Sequence, residues 1–113
     1  MEINVRELND VAILELEGRL DASTVNNLRD KLKNLIQHNH SNIVLDLGNI
    51  SFIDSSGIGI LVASLRSINE INGDIKISNV KDHVRSIFEL TRLHHIFEIF
   101  DDCEIAALSF SPK

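Results

Sequence analysis

Residues 54–57 read Asp54-Ser55-Ser56-Gly57, a carboxylate and two hydroxyls at a change of secondary structure. Upstream lies an apolar strand pattern, Ile43-Val44-Leu45-Asp46-Leu47, then Phe52-Ile53. Downstream, apolar residues recur with a helical period from Ile58 to about Ile71. A helix N-terminus offers unpaired N–H groups and a partial positive charge, which suits an oxyanion or a phosphate. A hydroxyl at such a junction either caps the helix or carries a phosphate that the fold tolerates. Local preference alone favours capping, with Asp54 as a second cap or a first-turn carboxylate. Gly57 and Gly59 each cost a helix start about 1 kcal/mol relative to Ala. They imply close approach of another backbone, relief of crowding, or tight packing on a sheet.

Other reactive side chains make weaker patterns. His38 and His40 flank Asn39 in a polar loop, and His94-His95 are adjacent. No Cys partner or helical i, i+4 pair completes a metal site, so they read as surface or loop residues. Cys103 near a helix start could be somewhat acidic, but no His or second Cys lies close in sequence, and a structural role is expected. No Gly-x-Ser-x-Gly is present, since residues 55–59 run Ser-Ser-Gly-Ile-Gly, and no Gly-Lys-Ser/Thr follows. An enzyme, a cofactor and a metal are therefore not expected.

The chain of 113 residues, 43% hydrophobic and 25% charged, is long enough for one domain with a real core, expected over residues 1–113. Its formal charge is −6 and its pI about 5.2. Without clustered Lys and Arg, nucleic acid and anionic membrane surfaces are disfavoured partners; a basic patch on another protein fits better. A single cysteine fits a reducing compartment. Met1-Glu2-Ile3-Asn4 lacks a leader pattern. The longest apolar stretch, near Gly57–Ala63, falls far short of the ~20 residues that span a bilayer. A cytoplasmic protein is expected.

The elements that must position Ser55 follow from periodicity. Residues 3–8 and 11–17 read as two strands joined at Asn9-Asp10, the second ended by Gly18. Asp21 or Ser23 caps a helix running to about Gln37, with Val25, Leu28, Leu32, Leu35 and Ile36 on one face. The apolar 43–47 segment reads as a strand covered on both faces. The helix after Gly57 turns Ile58, Leu61, Val62, Leu65 and Ile68 inward, leaves Ile60 partly exposed, and stops at Asn72-Gly73. A strand holds Ile75 and Ile77. A helix over 81–92 carries Val84, Ile87, Phe88 and Thr91 on one face. A short strand lies near Phe97–Phe100, and Asp101 with Glu104 resembles a capping box for a last helix through Leu108. Pro112 sits in a tail expected to fray. Strands alternating with helices predict an α/β fold, a mainly parallel sheet with an antiparallel hairpin at its start.

Four segments together resemble a STAS domain of the anti-sigma factor antagonist type. They are Gly18-Arg19-Leu20-Asp21, Ile43-Val44-Leu45-Asp46-Leu47, Phe52-Ile53-Asp54-Ser55-Ser56-Gly57-Ile58-Gly59, and Val84-Arg85-Ser86-Ile87-Phe88-Glu89-Leu90-Thr91-Arg92-Leu93. The resemblance covers roughly residues 3–109 and implies the STAS fold, a central mixed β-sheet with about four helices packed on it. It implies that Ser55, directly after the Asp, is the phosphoacceptor, with Ser56 as the helix cap beside it. It implies that Asp54 orients the Ser55 hydroxyl or meets a partner kinase, and that Asp21 lies in a loop near the phosphorylation site. The expected partner-binding set is Asp21, Asp54, Ser56, Gly57, Ile58 and Ile60. The implied function is a phosphorylation-switched antagonist of an anti-sigma factor that is itself a serine/threonine kinase, reversed by a PP2C-type phosphatase. The alternative is a STAS subunit of a membrane transport complex of the phospholipid type. Two departures stand out: Ile58 replaces a common Leu, and Arg92 replaces a frequent Gly at a helix C-cap. Arg92 is expected to reach the last carbonyls and alter the turn.

Overall fold

The computed structural model describes residues 1–110; Pro112 and the expected fraying of the tail lie outside them. A hairpin opens the chain, β1 (Glu2–Leu8) and β2 (Val11–Leu20). Asn9 and Asp10 both take positive φ, 51° and 64°, the turn geometry whose twist matches paired strands. Then follow α1 (Val25–Gln37), β3 (Asn42–Ile53), α2 (Ser55–Asn69), β4 (Asp74–Ser78), α3 (Asp82–Leu90), a 3₁₀ turn at Leu93–His95, β5 (Ile99–Phe100) and α4 (Cys103–Leu108). The strands stand in the order β1-β2-β3-β4-β5. Only β1 and β2 are antiparallel; every later pair is parallel. The expected mixed sheet with four helices is what forms.

Each sheet face has its own apolar cluster. Leu14, Leu16, Leu45, Leu47 and Ile77 pack with Leu28 and Leu32 of α1, Leu61 and Leu65 of α2, and Val84 and Phe88 of α3. On the other face Val11, Ile13 and Val44 meet Ala106 and Ala107 of α4. Burying one such Leu fully stabilises the fold by about 2 kcal/mol. Helical spacing put Val25, Leu28, Leu32 and Leu35 on the buried face of α1, as found.

Several boundaries differ from those read in the sequence. Gly18 does not end β2: it takes φ +116°, and the β2–β3 register shifts there and between Glu15 and Glu17. The strand bulges and continues to Leu20. The 43–47 and 52–53 segments are one strand, β3. Thr24, not Asp21 or Ser23, is the N-cap residue of α1, and no side chain caps that helix. The cap of α4 is Asp102, whose carboxylate accepts from the Glu104 and Ile105 amides, rather than Asp101. Arg92 takes φ +61°, so it adopts the left-handed turn a glycine would make. Its backbone N–H, not its guanidinium, reaches the Glu89 carbonyl at 3.2 Å. On α3 Val84 and Phe88 are buried, whereas Thr91 is exposed.

Candidate functional site

The site forms where β2 and β3 end side by side. The Gly18 bulge sets Arg19 opposite Phe52 and Leu20 opposite Ile53. That register delivers the Leu20 carbonyl to the Asp54 N–H at 3.2 Å. Asp54 leaves the strand in extended conformation and begins α2 as its N-cap. Its Oδ1 accepts from the Gly57 amide at 3.0 Å, and its Oδ2 accepts from the Ala22 amide at 3.3 Å. One carboxylate thus ties the helix start to the β2–α1 loop. Ser56 is not the cap, because Asp54 already holds that place; Ser55 and Ser56 are the first two helical residues.

Ser55 is exposed and Ser56 half-buried. Among the described residues neither hydroxyl has a hydrogen-bond partner, and Asp54 does not bond the Ser55 hydroxyl. The Ser55 hydroxyl therefore stands free at the positive end of a helix. Gly57 is buried beneath it. A Cβ there would meet the Leu20 carbonyl oxygen at 2.6 Å, so of the reasons weighed for this glycine, close backbone approach holds. Gly59 differs, since a Cβ there would meet nothing within 4 Å.

The β2–α1 loop is ordered by Asp21. Its Oδ1 accepts from the Ser23 amide at 3.0 Å and the Ser23 hydroxyl at 2.6 Å, while Oδ2 accepts from Arg19 Nε at 3.1 Å. The Ser23 hydroxyl first, then Arg19, hold the Asp21 carboxyl below its ordinary 3.8, partly opposed by desolvation. Thr24 closes the loop by donating its hydroxyl to the Arg19 carbonyl at 2.7 Å. The Arg19 guanidinium also lies 4.2 Å from the centre of the Phe52 ring, a cation–π contact on a ring that is 37% exposed.

Of the expected partner-binding residues, Asp54, Ser56 and half-buried Ile58 lie at the start of α2 with Ser55, and Asp21 lies in the loop that the Ala22 amide ties to Asp54. Gly57 is buried and acts through packing. Ile60 is not the partly exposed contact expected of it: it is 6% exposed and lines a groove of about 340 Å³ between α1 and α2. Sequence reasoning missed Arg19, Phe52 and the Ala22 amide. Arg19 and Phe52 lie inside the segments that carried the resemblance, and their pairing was a signal that only the β2–β3 register could reveal.

Away from this site, the Cys103 thiol accepts a hydrogen bond from Arg6 Nη2 at 3.0 Å, yet burial pushes its pKa up rather than down. Desolvation, with the nearby Asp46 and Asp102 carboxylates, outweighs Arg6, so the somewhat acidic thiol considered from sequence is not found. Among the described residues no three His, Cys, Asp or Glu side chains gather to hold a metal ion. Among them, too, no helix is long and apolar enough to cross a membrane.

The STAS domain model matches residues 2–106. The chain belongs to the STAS domain family. The anti-sigma F factor antagonist of Paenibacillus polymyxa is 31% identical over 110 residues, covering 96% of this chain and 93% of that protein. The anti-sigma-B factor antagonist of Staphylococcus aureus is 28% identical over 93% of this chain and 99% of that one. Among solved structures, an anti-sigma factor antagonist from Mycobacterium paratuberculosis superposes with a TM-score of 0.87 at 19% identity, over 96% and 92% of the two chains. The phosphorylated form of the Bacillus cell fate determinant SpoIIAA gives 0.71 at 22%, over 92% and 96%. A sulfate transporter family protein from Wolinella succinogenes gives 0.72 at 18%, over 90% and 84%. These three likenesses establish the shared STAS fold.

Proposed function

We propose that this STAS domain is an anti-sigma factor antagonist switched by phosphorylation of Ser55. The observation that carries the reading is the free, exposed Ser55 hydroxyl at the first position of α2, beside an Asp54 carboxylate already committed to two amides. A phosphate there adds about −1.5 to −2 charge. The fold tolerates it, because the Ser55 and Ser56 amides have no partner among the described residues and the helix dipole favours an anion.

On a docking surface the same phosphate is costly. It adds to the charge of Asp54 and Asp21 and must be desolvated or repelled at the interface. A loss of about 4 kcal/mol weakens binding roughly a thousandfold, enough for an on/off signal. The partner is an anti-sigma factor that is a serine/threonine kinase, and a PP2C-type phosphatase restores the binding form. The protein acts as substrate and binding module in the cytoplasm, not as an enzyme. Its docking surface comprises Asp21, Asp54, Ser55, Ser56 and Ile58, with Arg19 and Phe52 at the rim; Ile60 is left out because it is buried.

The second reading is a STAS subunit of a membrane transport complex of the phospholipid type, docked on its ATPase; the sulfate transporter family likeness supports no more than that this fold also occurs in transporter proteins. One experiment separates the two. Tagged wild type, Ser55→Ala and Ser55→Asp serve as baits in lysate of the source organism, with captured proteins identified by mass spectrometry. An anti-sigma kinase captured by wild type and Ser55→Ala, and lost with Ser55→Asp, is the expected result. A transport ATPase captured by all three would replace the switch with the second reading.

A further inference from the structure

Strand β1 is an edge of the sheet, and it is seven residues long. Long bare edges invite pairing with another strand. The two-residue turn at Asn9-Asp10 makes Leu8 and Val11 a hydrogen-bonded pair. By alternation Asn4 and Arg6 also spend their backbone groups on β2, and those of Ile3, Val5 and Glu7 face the open side. Among the described residues nothing pairs with that side.

The side chains carry an unresolved charge. Glu2 stands directly across from Glu17 in the β1–β2 register, a like-charge pair that destabilises a sheet. Among the described residues no cation bridges Glu2. On the same face of β1, Arg6 meets Glu15 at 3.7 Å through Nε and donates to the Cys103 thiol through Nη2, yet keeps 40% of its side chain exposed. Its fork of five donors has room for a second carboxylate. On the opposite face Val5 is 39% exposed, an uncovered apolar residue beside half-buried Ile3.

We propose that β1 is a self-pairing edge, joining a second copy of the chain in an antiparallel two-fold centred on Asn4. In that register Ile3 and Val5 exchange backbone hydrogen bonds with the partner copy's Val5 and Ile3, roughly four bonds in all. Glu2 then faces the partner copy's Arg6, and Arg6 the partner copy's Glu2, which offsets the Glu2–Glu17 repulsion. Ile3 and Val5 cover each other as cross-strand apolar pairs on the opposite face. Neighbouring registers lose the charge match: centring on Val5 sets Glu2 against Leu8, centring on Arg6 sets guanidinium against guanidinium, and centring on Ile3 sets Glu2 against Asn4 and leaves Arg6 without a carboxylate. The occupant is argued from this charge self-complementarity, and the product is one continuous sheet across two chains.

The test is sedimentation equilibrium of wild type, Glu2→Arg, Arg6→Glu and the double exchange Glu2→Arg/Arg6→Glu, from about 10 µM to about 1 mM. Far-ultraviolet circular dichroism checks that each remains folded. Wild type is expected to associate reversibly. Each single reversal, which places two like-charge pairs across the two-fold, weakens association about tenfold or more. The double exchange restores it, because opposite charges again face each other. A wild type that stays monomeric throughout, or a double exchange no better than the single reversals, overturns the proposal.

Discussion

Gly57 and Gly59 stand two residues apart at the start of α2, and the same substitution should push them in opposite directions. A Cβ at Gly57 would lie 2.6 Å from the Leu20 carbonyl oxygen, 2.9 Å from Leu20 Cγ and 3.1 Å from Ile53 Cγ2. The nearest of these is backbone, held in place by the hydrogen bond it accepts from the Asp54 N–H, so it cannot swing aside. Overpacking of this kind costs about 1–3 kcal/mol. Both Gly57→Ala and Gly59→Ala gain about 1 kcal/mol of helix propensity, but only Gly57→Ala meets a clash. Gly59→Ala should therefore stabilise the domain by up to about 1 kcal/mol, and Gly57→Ala should fall below it by about 1–3 kcal/mol. For a domain of this size that separates the two Tm values by at least about 4 °C. Thermal unfolding followed by circular dichroism measures it; with no Trp and no Tyr, fluorescence offers little. The Ala22 amide resonance adds a local check, since displacing α2 loosens its bond to Asp54 in Gly57→Ala alone. Equal Tm values, or Gly57→Ala the more stable, would refute the claim that this glycine exists to admit the Leu20 carbonyl.

Other expectations follow from single observations. Arg92 holds φ +61°, a conformation that costs a residue with a Cβ about 1 kcal/mol; Arg92→Gly should raise stability in urea by about that amount, and no change would mean the turn is unstrained. The Asp21 carboxyl lies below 3.8, chiefly through the Ser23 hydroxyl. A depressed carboxylate stabilises the fold above its unfolded value and loses that contribution as pH falls through the folded value. Ser23→Ala should move the Asp21 titration midpoint, followed by NMR, upward toward 3.8; an unmoved midpoint would exclude the hydroxyl as the cause.

Element order was legible because apolar spacing is a local signal. The face of α1, the Val84 and Phe88 positions of α3 and the hairpin at Asn9-Asp10 need only their own residues to declare themselves. Caps were legible as clusters rather than positions. Asp54, Ser55 and Ser56 are all cap formers, as are Asp21, Ser23 and Thr24, and Asp101 and Asp102. Which one caps depends on where the incoming strand leaves the sheet, and preference carries no such information. Ile60 was misread for a related reason. A single helical face was assigned to α2, but the helix packs on both the sheet and α1, which widens its buried arc to include Ile60 and Ser64.

The β2–α1 half of the site was hidden more deeply. It meets Asp54 through the Leu20 carbonyl and the Ala22 amide, atoms every residue except proline supplies, so no letter marks them. What brings those atoms to Asp54 is register. The bulge at Gly18 shifts β2 against β3, sets Arg19 over Phe52 and delivers the Leu20 carbonyl to the helix start. A side chain at position 18 would meet only the Met1 Cα at 3.6 Å, so space is not what requires glycine there; φ +116° is. Gly18 thus has more leverage over the setting of Ser55 than several residues beside it. It touches neither the Ser55 hydroxyl nor the Asp54 carboxylate, yet its bulge sets the register that brings the Leu20 carbonyl and the Ala22 amide to Asp54.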